Sequence, residues 1–226
     1  MSERSSADEL DAAATSLDLY WIPLGAGART VRTSGRIYEG LAALVQRRPR
    51  CSLFHSALVA RTPEGPYFVE MAPVPAEAQD RSVVGGGAVG SRLLGRFRVF
   101  RYEVRRWRDG TIPDLGWAVA SPVRISDDAD AVRRVLAIVA GVPTPVWGRD
   151  ELQAGEMWNS NSVVSWVLEQ AGLLDAAGRP PGGGRAPGWD AGVAVARRAT
   201  APVPVPVSSS VGWRVPFAQQ GPAPQP

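Results

Sequence analysis

The chain has 226 residues, 45% of them hydrophobic and 21% charged, with 25 basic residues against 22 acidic ones. That is a globular composition, long enough for one domain with tails, and an excess of three positive charges makes only a weak case for a polyanion partner. Every basic residue is arginine, Cys51 is the only cysteine and His55 the only histidine. A lysine nucleophile, a Schiff base, a phosphate loop that needs lysine, an intramolecular disulfide and a multi-cysteine metal site are therefore excluded, and any imidazole chemistry must run through His55.

Residues 1–16 are polar and read as a flexible lead. They lack the basic start and apolar centre of a secretory signal. No apolar run approaches ~18 residues, so no membrane span is expected and the chain reads as soluble and cytoplasmic. Leu17 to Leu24 (LDLYWIPL) reads as a strand stopped by Pro23 and the turn at Gly25–Gly27. Ser34 then precedes a helical pattern with Ile37, Leu41, Leu44 and Val45 on one face, ended by Pro49. Residues 53–60 and 66–72 flank Arg61-Thr-Pro-Glu-Gly65 and predict a β-hairpin.

The glycine-rich stretch Val83 to Gly90 (VVGGGAVG) lacks the pattern of a phosphate-binding turn and reads as a mobile loop able to act as a lid. Phe97 to Trp107 reads as a strand with a phase break between Val99 and Phe100, which suggests a bulge or burial on both faces. Residues 92–108 carry seven arginines (Arg92, Arg96, Arg98, Arg101, Arg105, Arg106 and Arg108) among aromatic residues. This is compatible with an anion or nucleic-acid surface, but more simply with a strand whose arginines cover its polar face and pair with acids such as Glu103, so nucleic acid is an unfavoured partner. Ser126-Asp127-Asp128 caps a helix with the stripe Val132, Val135, Leu136 and Val139.

A last helix is expected from about Asn159 to Ala171. At helical pitch Val164, Val167 and Ala171 fall within about 40° of Ser160, so Ser160 points inward from the first turn. Ser162, Ser165 and Glu169 fall on the opposite side and are expected to face water. Half of the 20 prolines lie at or after Pro180. The expected organisation is thus a lead over 1–16, one α+β domain over 17–177, and a Gly/Pro-rich, largely disordered tail over 178–226.

An inward hydroxyl at a helix start suits a nucleophile, because free backbone N–H groups and the helix dipole stabilise an oxyanion there. His55 is the one available base. The plainer readings are a capping or close-packed serine and a half-buried histidine bonded to a carbonyl. Scattered carboxylates with one histidine and one cysteine show no metal-ligand spacing, and Cys51 reads as a packing residue.

The block Leu53-Phe-His55-Ser-Ala-Leu-Val59, the strand ending Phe68-Val-Glu70 and the helix start Asn159-Ser160-Asn161-Ser162 resemble the circularly permuted papain-like superfamily. Its members include NlpC-type peptidases, PPPDE peptidases and lecithin:retinol acyltransferase-like proteins. The resemblance covers about residues 17–175. It implies a small antiparallel sheet packed on helices, with His55 as the base and Ser160 at the position of the family's cysteine. The implied activity is hydrolysis or acyl transfer at an amide or (thio)ester bond of a peptide or acyl substrate, without cofactor or metal. Glu70 is the candidate to orient the imidazole, with Asp150 and Glu151 as alternatives. Trp158, Asn159 and Asn161 flank the nucleophile as candidate substrate-binding residues. Serine in place of cysteine removes the easily ionised thiol, so a catalytically inactive domain that binds such a ligand is the alternative.

Overall fold

The computed structural model describes residues 15–24, 51–74 and 82–200. The strand expected at Leu17–Leu24 is β1 (Ser16–Pro23), whose alternation sends Leu17, Leu19 and Trp21 to one face and Tyr20 and Ile22 to the other. The expected hairpin forms as β2 (Phe54–Thr62) and β3 (Gly65–Pro73). Gly65, at φ +123°, lets the chain reverse over two residues. With β4 (Val83–Ala88), β5 (Arg101–Arg108) and β6 (Val123–Ser126) they make a six-stranded antiparallel sheet among the described residues, in the order β4-β5-β3-β2-β1-β6. The helix expected at 34–48, most of the lead (1–14) and residues 201–226 lie outside the described residues.

One face of the sheet carries the main core. Leu17, Leu19, Trp21, Phe54, Leu58, Val69 and Val104 pack there against two helices, α1 (Ala129–Ile138) and α2 (Ser160–Gln170). The α1 stripe falls as the spacing predicts, with Val132 and Val135 fully buried and Asp128 as N-cap. On the opposite face Ile22 and Ala57 pack against Ile112, with Tyr20, Phe68, Leu115 and Ala118 around them. Asp18, also fully buried, is held there by Arg61 and Arg124 and so ties β1 to β2 and β6.

Three expectations change. Val83–Ala88 is an edge strand paired with β5, not a loop. Its glycines are there for contact: a Cβ on Gly86 would lie 2.7 Å from the Tyr102 carbonyl, and one on Gly87 2.8 Å from the Tyr102 ring. The strand expected from Phe97 begins only at Arg101, and the phase break marks its start. Arg92–Arg96 and Arg98–Phe100 are instead short 3-10 turns.

The third change lies within the expected tail. Trp189–Thr200 is a helix, α3, inside the expected tail. It packs along α2 through Ala191, Gly192 and Ala196, and Trp189 meets Trp21 at a ring separation of 5.0 Å. Ser162 and Ser165 therefore do not face water. Both are fully buried, and they donate to the carbonyls of Gly188 and Trp189 at 2.7 Å each.

Candidate functional site

α2 begins in a capping box. The side chain of Asn159 accepts from the backbone N–H groups of Asn161 (2.9 Å) and Ser162 (3.4 Å), and Ser162 Oγ accepts from the Asn159 N–H at 3.0 Å. Asn159 Nδ2 also donates to the carbonyl of Pro187 at 2.8 Å. Ser160, the first residue of the helix, is 8% exposed, and among the described residues its hydroxyl has no hydrogen-bond partner. With Asn159 satisfying the next two N–H groups, the backbone N–H of Ser160 is the first-turn donor left for an oxyanion.

The sheet opens where this helix start arrives. β2 and β3 pair from Thr62↔Gly65 only as far as Leu58↔Val69. Beyond that β2 continues with β1 to Phe54, while β3 continues with β5 to Pro73. Asn161 plugs the gap. Its Nδ2 donates to the carbonyl of Phe54 (3.0 Å) and to that of Pro187 (2.9 Å), and its Oδ1 accepts from Ser56 Oγ at 2.9 Å. A side-chain amide thus takes an edge carbonyl that a neighbouring strand would otherwise use. Asn161 grips the two residues on either side of His55, and it is itself next to Ser160.

The side chains of the pair are not bonded to each other. Ser56 faces α2, so strand alternation turns His55 to the opposite face, beside Ile22, its register partner on β1. The structure brings the two backbone segments together at the gap. Between Phe54 and Leu58 no described strand pairs with this edge of β2.

His55 is half-buried. Burial pulls its pKa below 6.5, and the carboxylate of Asp114 offsets part of that. The imidazole is therefore neutral at pH 7, the form that accepts a proton. Asp114 sits in the connection between β5 and β6 and was not singled out by the sequence, because nothing local ties residue 114 to residue 55.

The other expected site residues have structural duties. Glu70 does not orient the imidazole: its carboxylate pairs with Arg105 at 3.0 Å, and Arg105 also holds Glu103 (3.2 Å) and the carbonyl of Pro73 (3.0 Å). Asp150 caps a turn by accepting from the N–H groups of Ala154 and Gly155. Glu151 accepts from the Val146 N–H and pairs with Arg92. Trp158 is 1% exposed in the main core, so it offers almost no surface to a ligand. Asn159 and Asn161 have their amides occupied by the helix start and the strand edge, which corrects their expected role in substrate binding. In the arginine-rich strand, Arg105 is tied to acids, and Arg106 donates to the carbonyl of Leu136 at 2.7 Å, which anchors its side chain without neutralising it.

No protein-family model, curated protein or solved structure matches the chain. Among the described residues no helix is long and apolar enough to cross a membrane.

Proposed function

We propose that the chain is a papain-like-fold hydrolase or acyl transferase that acts on an amide or (thio)ester bond through Ser160 and His55. The observation that carries this reading is the Asn161 plug, which docks a helix N-terminus bearing an inward hydroxyl onto the strand segment bearing the one histidine. The proposed reaction requires the imidazole, which this structure holds on the opposite face beside Ile22, to reach the Ser160 hydroxyl and take its proton. Oγ attacks the acyl carbon, and the Ser160 N–H and the helix dipole hold the oxyanion. Collapse breaks the bond to the leaving amine, alcohol or thiol, which receives the proton from His55. Water, or an acceptor nucleophile, then resolves the acyl-serine with His55 again as base.

A broad fluorophosphonate probe tests this. The native chain is expected to label, Ser160→Ala to lose labelling, and His55→Gln to slow it by about 100-fold or more. A native chain that does not label overturns the proposal. The absence of a Ser160–His55 hydrogen bond favours a second reading, a non-catalytic domain that binds a peptide or acyl group at the same gap. That reading expects no labelling of any variant.

A further inference from the structure

Between β4 and β5 the chain makes its two 3-10 turns, and neither buries a single residue. A connection in a monomeric domain ordinarily turns its large apolar side chains inward or carries few of them. Here Leu93 is 79% exposed and Val99 76%, with Phe97 and Phe100 also at the surface. Arg92, Arg96, Arg98 and Arg101 alternate with these residues, and residues 91–102 contain no acid. Arg92 is neutralised by Glu151. The exposed guanidinium of Arg96 lies 4.7 Å over the Phe97 ring, so cation and apolar surface occupy one spot.

The interleaving decides what covers this face. A second copy that met this face with the same face would bring the same arginines to the contact, and like charges would meet without an acid on the segment to answer them. A bilayer with anionic headgroups answers both chemistries: protruding Leu, Val and Phe enter the headgroup–acyl boundary while arginines engage lipid phosphates and carboxylates. The described helices offer no span, so attachment through this segment is peripheral. We infer that residues 92–101 form a docking loop for a membrane surface rich in anionic lipid. The inference stands on this segment alone and is independent of the chemistry proposed for Ser160.

Co-sedimentation of the full chain with vesicles tests it, using phosphatidylcholine alone and phosphatidylcholine with about 30 mol% phosphatidylserine at ~0.1 M salt. The chain is expected to pellet with the anionic vesicles only. Leu93→Glu with Val99→Glu should cut the bound fraction by about tenfold or more, and Arg96→Gln by roughly fivefold. All three side chains are exposed, so an unchanged thermal midpoint shows that the variants fold. Failure of the native chain to pellet with anionic vesicles overturns the inference, as does equal pelleting of native and doubly substituted chains. A native dimer in light scattering that the double substitution converts to monomer, without vesicle binding, overturns it in favour of a second copy.

Discussion

Asn161 is 2% exposed, and both ends of its amide are in use, with two carbonyls and one hydroxyl as partners. Asn161→Ala removes these bonds and leaves the Phe54 carbonyl and the Ser56 hydroxyl unanswered, while Pro187 keeps its bond from Asn159; the change should cost about 3 kcal/mol in urea unfolding. Ser160→Ala, one residue earlier, gives up no hydrogen bond to a described residue and should shift stability by less than about 0.5 kcal/mol. The contrast separates the device that positions the helix start from the group proposed to react. The inward placement of Ser160 was legible because helical periodicity is a local property. The duty of Asn161 was not, since its partner hydroxyl lies 105 residues away in sequence. His55 adds a pH signature. Its folded pKa lies below its ordinary 6.5, so the unfolded chain takes up the proton first as pH falls. The contribution is nil above 6.5, and stability is lost as pH drops from 6.5 through the folded value. Denaturation midpoints from pH 7.5 to 5 should therefore fall more steeply for the native chain than for His55→Gln.

At the scale of elements, the α2–α3 pair shows why a hydrophobic stripe under-reports burial. The outer face of α2 carries Ser162 and Ser165, which the wheel assigns to water, yet α3 covers both and satisfies their hydroxyls through backbone carbonyls. α3 reaches them because its contact face is small: a Cβ on Gly192 would collide with the Ser162 carbonyl and Ser165 Oγ. Contact with α2 through glycine, alanine and serine leaves few large apolar residues to read besides Trp189 and Val195, and the surrounding proline and glycine content of 178–188 hides a twelve-residue helix from a compositional view. Gly192→Ala, although alanine is the better helix former, should destabilise the domain by about 2 kcal/mol or more through backbone separation. Gly178→Ala would test a different effect, a positive φ with nothing within 4 Å, and is expected to cost about 1 kcal/mol from backbone strain alone. Thermal unfolding of the two variants distinguishes crowding from strain.

For the whole molecule, the sheet presents a helix-covered face and a second face that carries buried charge. The hairpin, β1 and α1 were legible because their patterns are short-range, whereas the charge pairings depend on strand order, which brings β3 beside β5 across residues absent from either strand. Glu70 and Arg105 are register partners there, with side chains 11% and 8% exposed. This is why a carboxylate that looks available to an imidazole in the sequence is already held in the fold. Removing only the cation takes the buried ion-pair partner from Glu70 in a poorly solvated place, so Arg105→Met should cost about 3 kcal/mol. Removing both charges eliminates that penalty. Glu70→Leu combined with Arg105→Met should therefore recover most of the loss, apart from the share owed to Glu103 and the Pro73 carbonyl, which Arg105 also binds. A double-mutant cycle by urea unfolding measures the coupling. If Glu70 is purely structural, the recovered double variant labels with fluorophosphonate at the native rate. A double variant that is stable but slow to label would instead tie this ion pair to His55.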